Sequence, residues 1–216
     1  MARDGIAGSP ELLAYLHEWG ARTDEVLDRV RAETGEMANA AMQVSPDQGA
    51  LLTFLVRLIG AKSALEVGTF TGYSAICIAR GLGAGGLLTC LELEDEYADI
   101  AQRNLEAAGV AERVSIVRGP AAESLKAIPE EPAYDFVFLD ADKTGYPEYY
   151  ELILPRMKPG SLLLIDNILM GGDVVDPEPG TSNEVVAQLN ARIAQDDRVE
   201  AAFAMVADGV AFVRKR

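Results

Sequence analysis

Residues 134–143 read YDFVFLDADK, and residues 160–167 read GSLLLIDN. Each is an apolar run that ends in acid. Val137, Phe138 and Leu139 lead into Asp140, while Leu162, Leu163, Leu164 and Ile165 lead into Asp166 and Asn167. Continuous apolar runs of this length read as strands covered on both faces, as in a parallel sheet between helices. Their carboxyl ends then lie side by side, at the edge where open α/β sheets bind ligands. Two Asp and one Asn, all hard oxygen donors, suit a divalent cation there.

Outward from these runs the same rhythm repeats. Short apolar runs at Ala64–Val67, Leu87–Leu91, Val114–Val117, Phe136–Leu139 and Leu162–Ile165 alternate with helical stretches at Gly72–Arg80, Asp95–Ala108, Pro120–Ile128 and Pro147–Met157. Repetition of strand, helix, strand predicts an α/β fold with a doubly wound, parallel sheet. Residues 181–195 read as a further helix. Val199–Met205 and Gly209–Arg214 read as two closing strands able to pair antiparallel, joined by Ala207 and Asp208. Before the first strand, Pro10–Trp19 and Thr23–Glu33 have helical spacing, and Ser45-Pro46-Asp47-Gln48 opens a third helix with capping-box spacing. The expectation is one domain over residues 1–216, with helices in 1–60 and the sheet in 61–216.

Composition narrows the function classes. A chain of 216 residues, 49% hydrophobic, can bury a large core without staples. A formal charge of -15 disfavours nucleic acid, whose non-specific affinity comes from Lys and Arg neutralising phosphates. No basic leader or membrane-length apolar run is present, so a cytoplasmic protein without a membrane partner is expected. Cys77 and Cys90 fall in apolar patterns and read as buried thiols. The lone His17 sits in a helical pattern, which removes a His-based triad.

The first strand runs into a glycine turn, LEVGTFTGYS at residues 65–74. Gly68 and Gly72 allow a sharp turn and close backbone approach to a ligand. Glu66, entering that turn, would repel a pyrophosphate and welcome a cation. Glu92, closing the second strand, stands where an acid hydrogen-bonds ribose hydroxyls. The pair suggests a nucleoside without phosphates, and S-adenosylmethionine carries a sulfonium and an ammonium in their place. Phe70 and Tyr73 fit either a ligand contact or the core.

The motifs MQVSPDQGALL, LEVGTFTGYSA, the acid at Glu92, LDADK and DN resemble, in order and spacing, the metal-dependent small-molecule O-methyltransferases that include catechol and caffeoyl-CoA O-methyltransferases. That resemblance covers about Met42 to the C-terminus. It implies a Rossmann-like sheet of seven strands, the last antiparallel. It implies cofactor contacts at Glu66, Gly68, Ser74, Glu92 and Asp140 and along Gly119–Ala122, with Ala121 beside the adenine. It implies Asp140, Asp166 and Asn167 as ligands of Mg, Mn or Ca, and a homodimer.

Within that resemblance Lys143 is the candidate base for an acceptor hydroxyl, because a neighbouring cation and partial burial both disfavour the ammonium. Met42, Tyr146 and Ile168 are candidate acceptor contacts. Asp142 reads either as a supporting group or as exposed. The acceptor reading is a catechol-like phenolic small molecule. A hydroxylated tRNA base, an NAD-dependent oxidoreductase, and cofactor binding without catalysis are the alternatives. Plant relatives often carry an aromatic residue soon after the DN pair, whereas Ile168, Leu169 and Met170 stand here, which argues against a flat phenylpropanoid thioester. Residues 168–182 read as a functional loop or lid.

Overall fold

The computed structural model describes residues 9–216, so the leader reading of residues 1–8 lies outside the described residues. Three helices come first: α1 (Pro10–Gly20), α2 (Glu25–Gly35) and α3 (Pro46–Leu58). Ser9, Asp24 and Ser45 cap them by accepting from Leu12 N, Leu27 N and Gln48 N. Asp24, not Thr23, starts α2, since a carboxylate also complements the positive end of the helix. His17 Nε2 lies 2.9 Å from Asp47 Oδ1, where α1 meets α3. Leu13, Leu16 and Trp19 of α1 stay exposed.

The sheet contains β1 (Ser63–Val67), β2 (Leu87–Glu92), β3 (Val114–Arg118), β4 (Tyr134–Leu139), β5 (Met157–Asp166), β6 (Val199–Ala204) and β7 (Val210–Lys215). Between them run α4 (Tyr73–Gly81), α5 (Asp95–Ala107), α6 (Ala121–Ala127), α7 (Tyr146–Ile153) and α8 (Ser182–Ala194). Strand order is β3-β2-β1-β4-β5-β7-β6, with β7 antiparallel to both of its neighbours and the β1, β2, β3, β4 and β5 pairings parallel. This is the Rossmann-like architecture expected, with β7 as the antiparallel last strand.

Alternation along the central strands splits the core. Ala64, Phe136 and Phe138 pack with residues of α3, α4 and α5, while Leu65, Val67, Val137 and Leu139 pack with α6, α7 and α8. Each fully buried Leu, Ile or Phe contributes roughly 1.5–3 kcal/mol. Cys77 and Cys90 are free and buried, and burial pushes the Cys77 thiol up to about 12. Among the described residues no helix is long and apolar enough to cross a membrane.

The helix expected to reach Met157 ends at Ile153. A 3-10 turn at Leu154–Arg156 follows, because Pro155 has no N–H to continue the helical ladder. Strand β5 then starts early, and its register with β4 shifts between Tyr134 and Phe136, where Pro159 and Gly160 are accommodated. Chain direction reverses at the neighbouring β1 and β4: the chain moves outward through β2 and β3 on one side and through β5 on the other. The crevice beyond the carboxyl ends of β1 and β4 is therefore the place for a ligand.

Candidate active site

The turn after β1 is shaped by its neighbours. Gly68, at φ +89°, has no room for a β-carbon, which would overlap the backbone carbonyl of Asp140. Gly72, at φ +90°, lies against Ala101 of α5, where a β-carbon would sit 3.2 Å from the Ala101 Cα. The glycines thus bring the end of β1 against β4 and seat α4 on α5, besides leaving the turn open to the crevice. Glu92 braces the same turn from β2. Its Oε2 accepts from Thr69 N at 3.0 Å and Phe70 N at 2.7 Å, and its Oε1 accepts from Glu94 N at 3.0 Å.

Glu66 stands behind this turn. It is fully buried, and neither carboxyl oxygen has a hydrogen-bond partner of good geometry, although the Ser74 and Thr69 hydroxyls and the Cys90 thiol surround it. Burial pushes its carboxyl up to about 8. At neutral pH it is mostly protonated. The acid expected to greet a cation is thus a neutral group beneath the cavity wall, because strand alternation sets its side chain on the same buried face of the sheet as those of Cys90 and Phe138, its register partners. Gly119, at φ +123°, also stands off the wall and donates its N–H to Glu92 O at 2.9 Å.

Strands β4 and β5 run in register at Leu139 and Ile165, so Asp140 and Asp166 leave the sheet at one level. Asp140 Oδ1 accepts from Lys143 Nζ at 2.8 Å. Lys143 Nζ also donates to Tyr146 Oη at 2.7 Å and lies 4.8 Å from that ring's centroid. Tyr146 is fully buried, with Oη 3.3 Å from Leu139 O and 3.2 Å from Asp166 O. Burial, reinforced by the Asp140 charge, holds its hydroxyl well above the usual phenol range. The structure places Tyr146 under Lys143 rather than on the cavity wall.

Asp166 is 3% exposed. Its Oδ1 accepts from Asn167 N at 2.7 Å and its Oδ2 from Gln48 Nε2 at 2.6 Å. Gln48 therefore does not return the capping-box bond to Ser45; its side chain reaches the sheet instead. Burial first, and then the Asp140 charge, push the Asp166 carboxyl up to about 7. Asn167 adopts φ +57°, a left-handed conformation that Asn tolerates better than most residues. Asp142 caps the turn that follows Asp140, accepting from Gly145 N at 2.9 Å and Tyr149 Oη at 2.6 Å. Among the described residues no three His, Cys, Asp or Glu side chains converge on one point. The donor set here is two carboxylates and an amide.

A cavity of about 1230 Å³ joins these parts. Its wall runs from Glu92 and Tyr97 past Gly68 and Ser74 to Asp140, Lys143, Asp166 and Asn167, with Ala121 and Met42 also on it. Met42 is 54% exposed. Ile168 is off the wall and buried, its N–H donating to Gly209 O at 3.1 Å. Gln48, Tyr149 and the turn Ala207-Asp208 line the cavity, and sequence reasoning assigned none of them to it. The antiparallel return of β7 could have flagged the last, since it carries the β6–β7 turn back to the carboxyl edge. Lys143 is the sole cationic side chain on the wall among the described residues, against carboxylates such as Glu94, Glu96, Asp142 and Asp208.

Four non-glycine residues among those described have left-handed φ: Phe70, Asn167, Met170 and Ala207. All four line this cavity. Such conformations cost of order 1–3 kcal/mol each and collect at ligand-handling sites.

Comparison with known proteins agrees with this geometry. A family described as O-methyltransferase matches residues 17–216. A catechol O-methyltransferase of Niastella koreensis is 38% identical over 182 residues, covering 81% of this chain and 81% of its own. Caffeoyl-CoA O-methyltransferase 1 of Zea mays is 36% identical over 220 residues, covering 96% of this chain and 85% of its own. The crystal structure of an O-methyltransferase from Bacillus cereus in complex with SAH is 33% identical, with a TM-score of 0.87 over 95% of this chain and 97% of that one.

Proposed function

The chain belongs to the O-methyltransferase family, and from that premise we propose that it moves the methyl group of S-adenosylmethionine to one hydroxyl of a catechol-like small molecule, with a divalent cation held by Asp140, Asp166 and Asn167. The observation that carries this reading is the shared cavity, which runs from the Glu92 brace to the paired acids and Lys143. Asp166, pushed up to about 7 by burial and by Asp140, marks a site short of positive charge. An all-oxygen donor set fits Mg, Mn or Ca rather than zinc.

The cation would supply Lewis acidity, making a hydroxyl on one of two vicinal oxygens easier to ionise. The chain's own residues do the rest. Lys143, in its amine form, takes the hydroxyl proton at Nζ. The oxygen forms its bond to the methyl carbon as the carbon–sulfur bond breaks, and that electron pair stays on sulfur. Glu92, by fixing the Thr69 and Phe70 amides, holds the turn against which the donor lies. Tyr146 sets the height of Lys143 from below. The wall supplies position, and position is worth several powers of ten for in-line displacement.

The charge of the wall supports a small acceptor over a hydroxylated tRNA base or a CoA thioester. Both of those bring phosphates, and Lys143 is already engaged with Asp140. The test is methyl transfer to catechol and caffeate, with and without chelation, and with magnesium restored. Turnover that stops on chelation and returns with magnesium is expected. Undiminished turnover after thorough chelation would remove the cation from the reading, and no turnover across a panel of diols despite cofactor binding would remove the acceptor.

A further inference from the structure

We propose that Gln48 is a positioning residue that orients Asp166 for its cation, so that helix α3 completes a site whose other donors stand on the sheet. The proposal rests on the cation reading above. Gln48 is 3% exposed, lines the cavity, and spends its Nε2 on Asp166 Oδ2 at 2.6 Å across 118 positions of sequence.

The reach of that side chain is set by packing. Gly49, the next residue, has no room for a side chain, because a β-carbon would lie 2.7 Å from the Tyr73 ring and 2.9 Å from Cys77 Sγ. Helix α3 can therefore lie close on α4. Thr53 Oγ1 donates to Cys77 O at 2.9 Å one turn later and fastens the same contact. The backbone at Gln48 is thus held at one height above β5, and an amide one methylene shorter falls short of Asp166. Turning the amide over would set two oxygens against each other, so the donor orientation is fixed by chemistry.

The chemistry of the partners differs between the two acids. Asp140 is met by a basic side chain, that of Lys143. Asp166 is met on Oδ1 by the Asn167 amide and on Oδ2 by the Gln48 amide, both neutral. Neutral donors fix the plane of a carboxylate without adding a positive charge, and leave one lone pair per oxygen to spare. Groups that orient ligands in this way are worth about 10- to 100-fold in metal affinity.

The experiment measures Mn²⁺ affinity, from the electron paramagnetic resonance signal of free Mn²⁺, in the full chain saturated with S-adenosylhomocysteine (SAH). Wild type, Gln48→Met and Gln48→Asn are compared. Met keeps the length and removes the donor; Asn keeps the donor and removes the length. Both variants are expected to bind Mn²⁺ about 10- to 100-fold more weakly. The Mn²⁺ concentration for half-maximal methyl transfer should rise in step, while the rate at saturating Mn²⁺ recovers. A merely structural role would instead lower the unfolding temperature and SAH affinity and leave the Mn²⁺ constant in place, which would overturn the proposal. Should Gln48→Met fail to fold, Gln48→Asn decides the matter alone. Wild type that binds Mn²⁺ alongside variants that bind it equally well overturns the role of Gln48 only; wild type that binds none overturns the cation reading and this proposal together.

Discussion

Gly68 and Asp140 meet backbone to backbone, so closely that a β-carbon on the first would overlap the carbonyl oxygen of the second. The turn after β1 and the first acid of the paired carboxylates are therefore one packed unit. Gly68→Ala forces a side chain into that contact and into φ +89° at once. A loss above about 2 kcal/mol is expected, or roughly 4–8 °C in unfolding temperature for a chain of this size. SAH affinity should fall with it. Thermal unfolding and calorimetry check the pair, and an alanine variant with wild-type values for both would refute the packing account.

Lys143 is held on two sides, by Asp140 Oδ1 and Tyr146 Oη. Lys143→Met removes the proposed proton acceptor and keeps the bulk. The turnover rate should fall by about 10²- to 10⁴-fold, the usual worth of a general base, while SAH affinity changes little. Tyr146→Phe removes one of the two partners and leaves the amine, so its rate should lie between that of Lys143→Met and wild type. Single-turnover kinetics on both variants tests the order; equal rates for Lys143→Met and wild type would exclude the base assignment.

Two buried carboxyls give the empty protein a defined pH response. Glu66 is raised from 4.5 to about 8 and Asp166 from 3.8 to about 7. For an acid raised on folding, the unfolded chain releases its proton first. Its contribution is fully present below the unfolded value and is lost as pH rises through the folded one, at about 1.4 kcal/mol per unit in between. Cofactor-free and metal-free protein should therefore lose stability from about pH 5 to pH 8. Glu66→Gln should flatten that slope up to about pH 8, and Asp166→Asn, which also relieves Asp140 of a like charge, should flatten it further below that. Unfolding temperatures across this range measure it, and a Glu66→Gln slope as steep as wild type would argue against a protonated Glu66.

Much of the fold was legible because buried parallel strands leave a one-dimensional trace, the runs before Asp140 and Asp166. The positions of those acids follow from strand ends, so they needed no tertiary knowledge. Gln48 was hidden because a capping box and a buried amide share the same local sequence; only the height of α3 over β5 separates them. Glu66 stands behind the cavity wall rather than on it, and a continuous apolar run does not say which way each side chain faces. Tyr146 and Ile168 follow the site in sequence but do not line its cavity. Tyr146 turns under Lys143, and the left-handed Asn167 redirects the chain so that Ile168 enters the core. Asp208 came to the cavity through the antiparallel return of β7, a long-range pairing.

Asp142 and Asp208 stand on the same wall as Lys143, and the Lys143 charge is already matched by Asp140. With Asp140 and Asp166 given over to the proposed cation, an acceptor that carries its own negative charge still meets Asp142 and Asp208, with no further cationic side chain among the described residues on the wall to offset them. Two unit charges at 4 Å interact by about 1 kcal/mol in water, close to fivefold in rate, and a partly enclosed wall raises that figure. Matched diols expose the effect: 4-ethylcatechol should exceed 3,4-dihydroxyphenylacetate in kcat/KM by about fivefold or more, and caffeoyl-CoA should be poorer still. Raising the ionic strength should narrow both gaps, because exposed charges are screened. Asp208→Asn should narrow them as well, and the amide oxygen can still accept the bond that Asp208 Oδ1 now takes from Gly171 N. Steady-state kinetics at low and high salt tests this directly, and a thioester or carboxylate preferred over the neutral diol would show that wall charge does not select the acceptor.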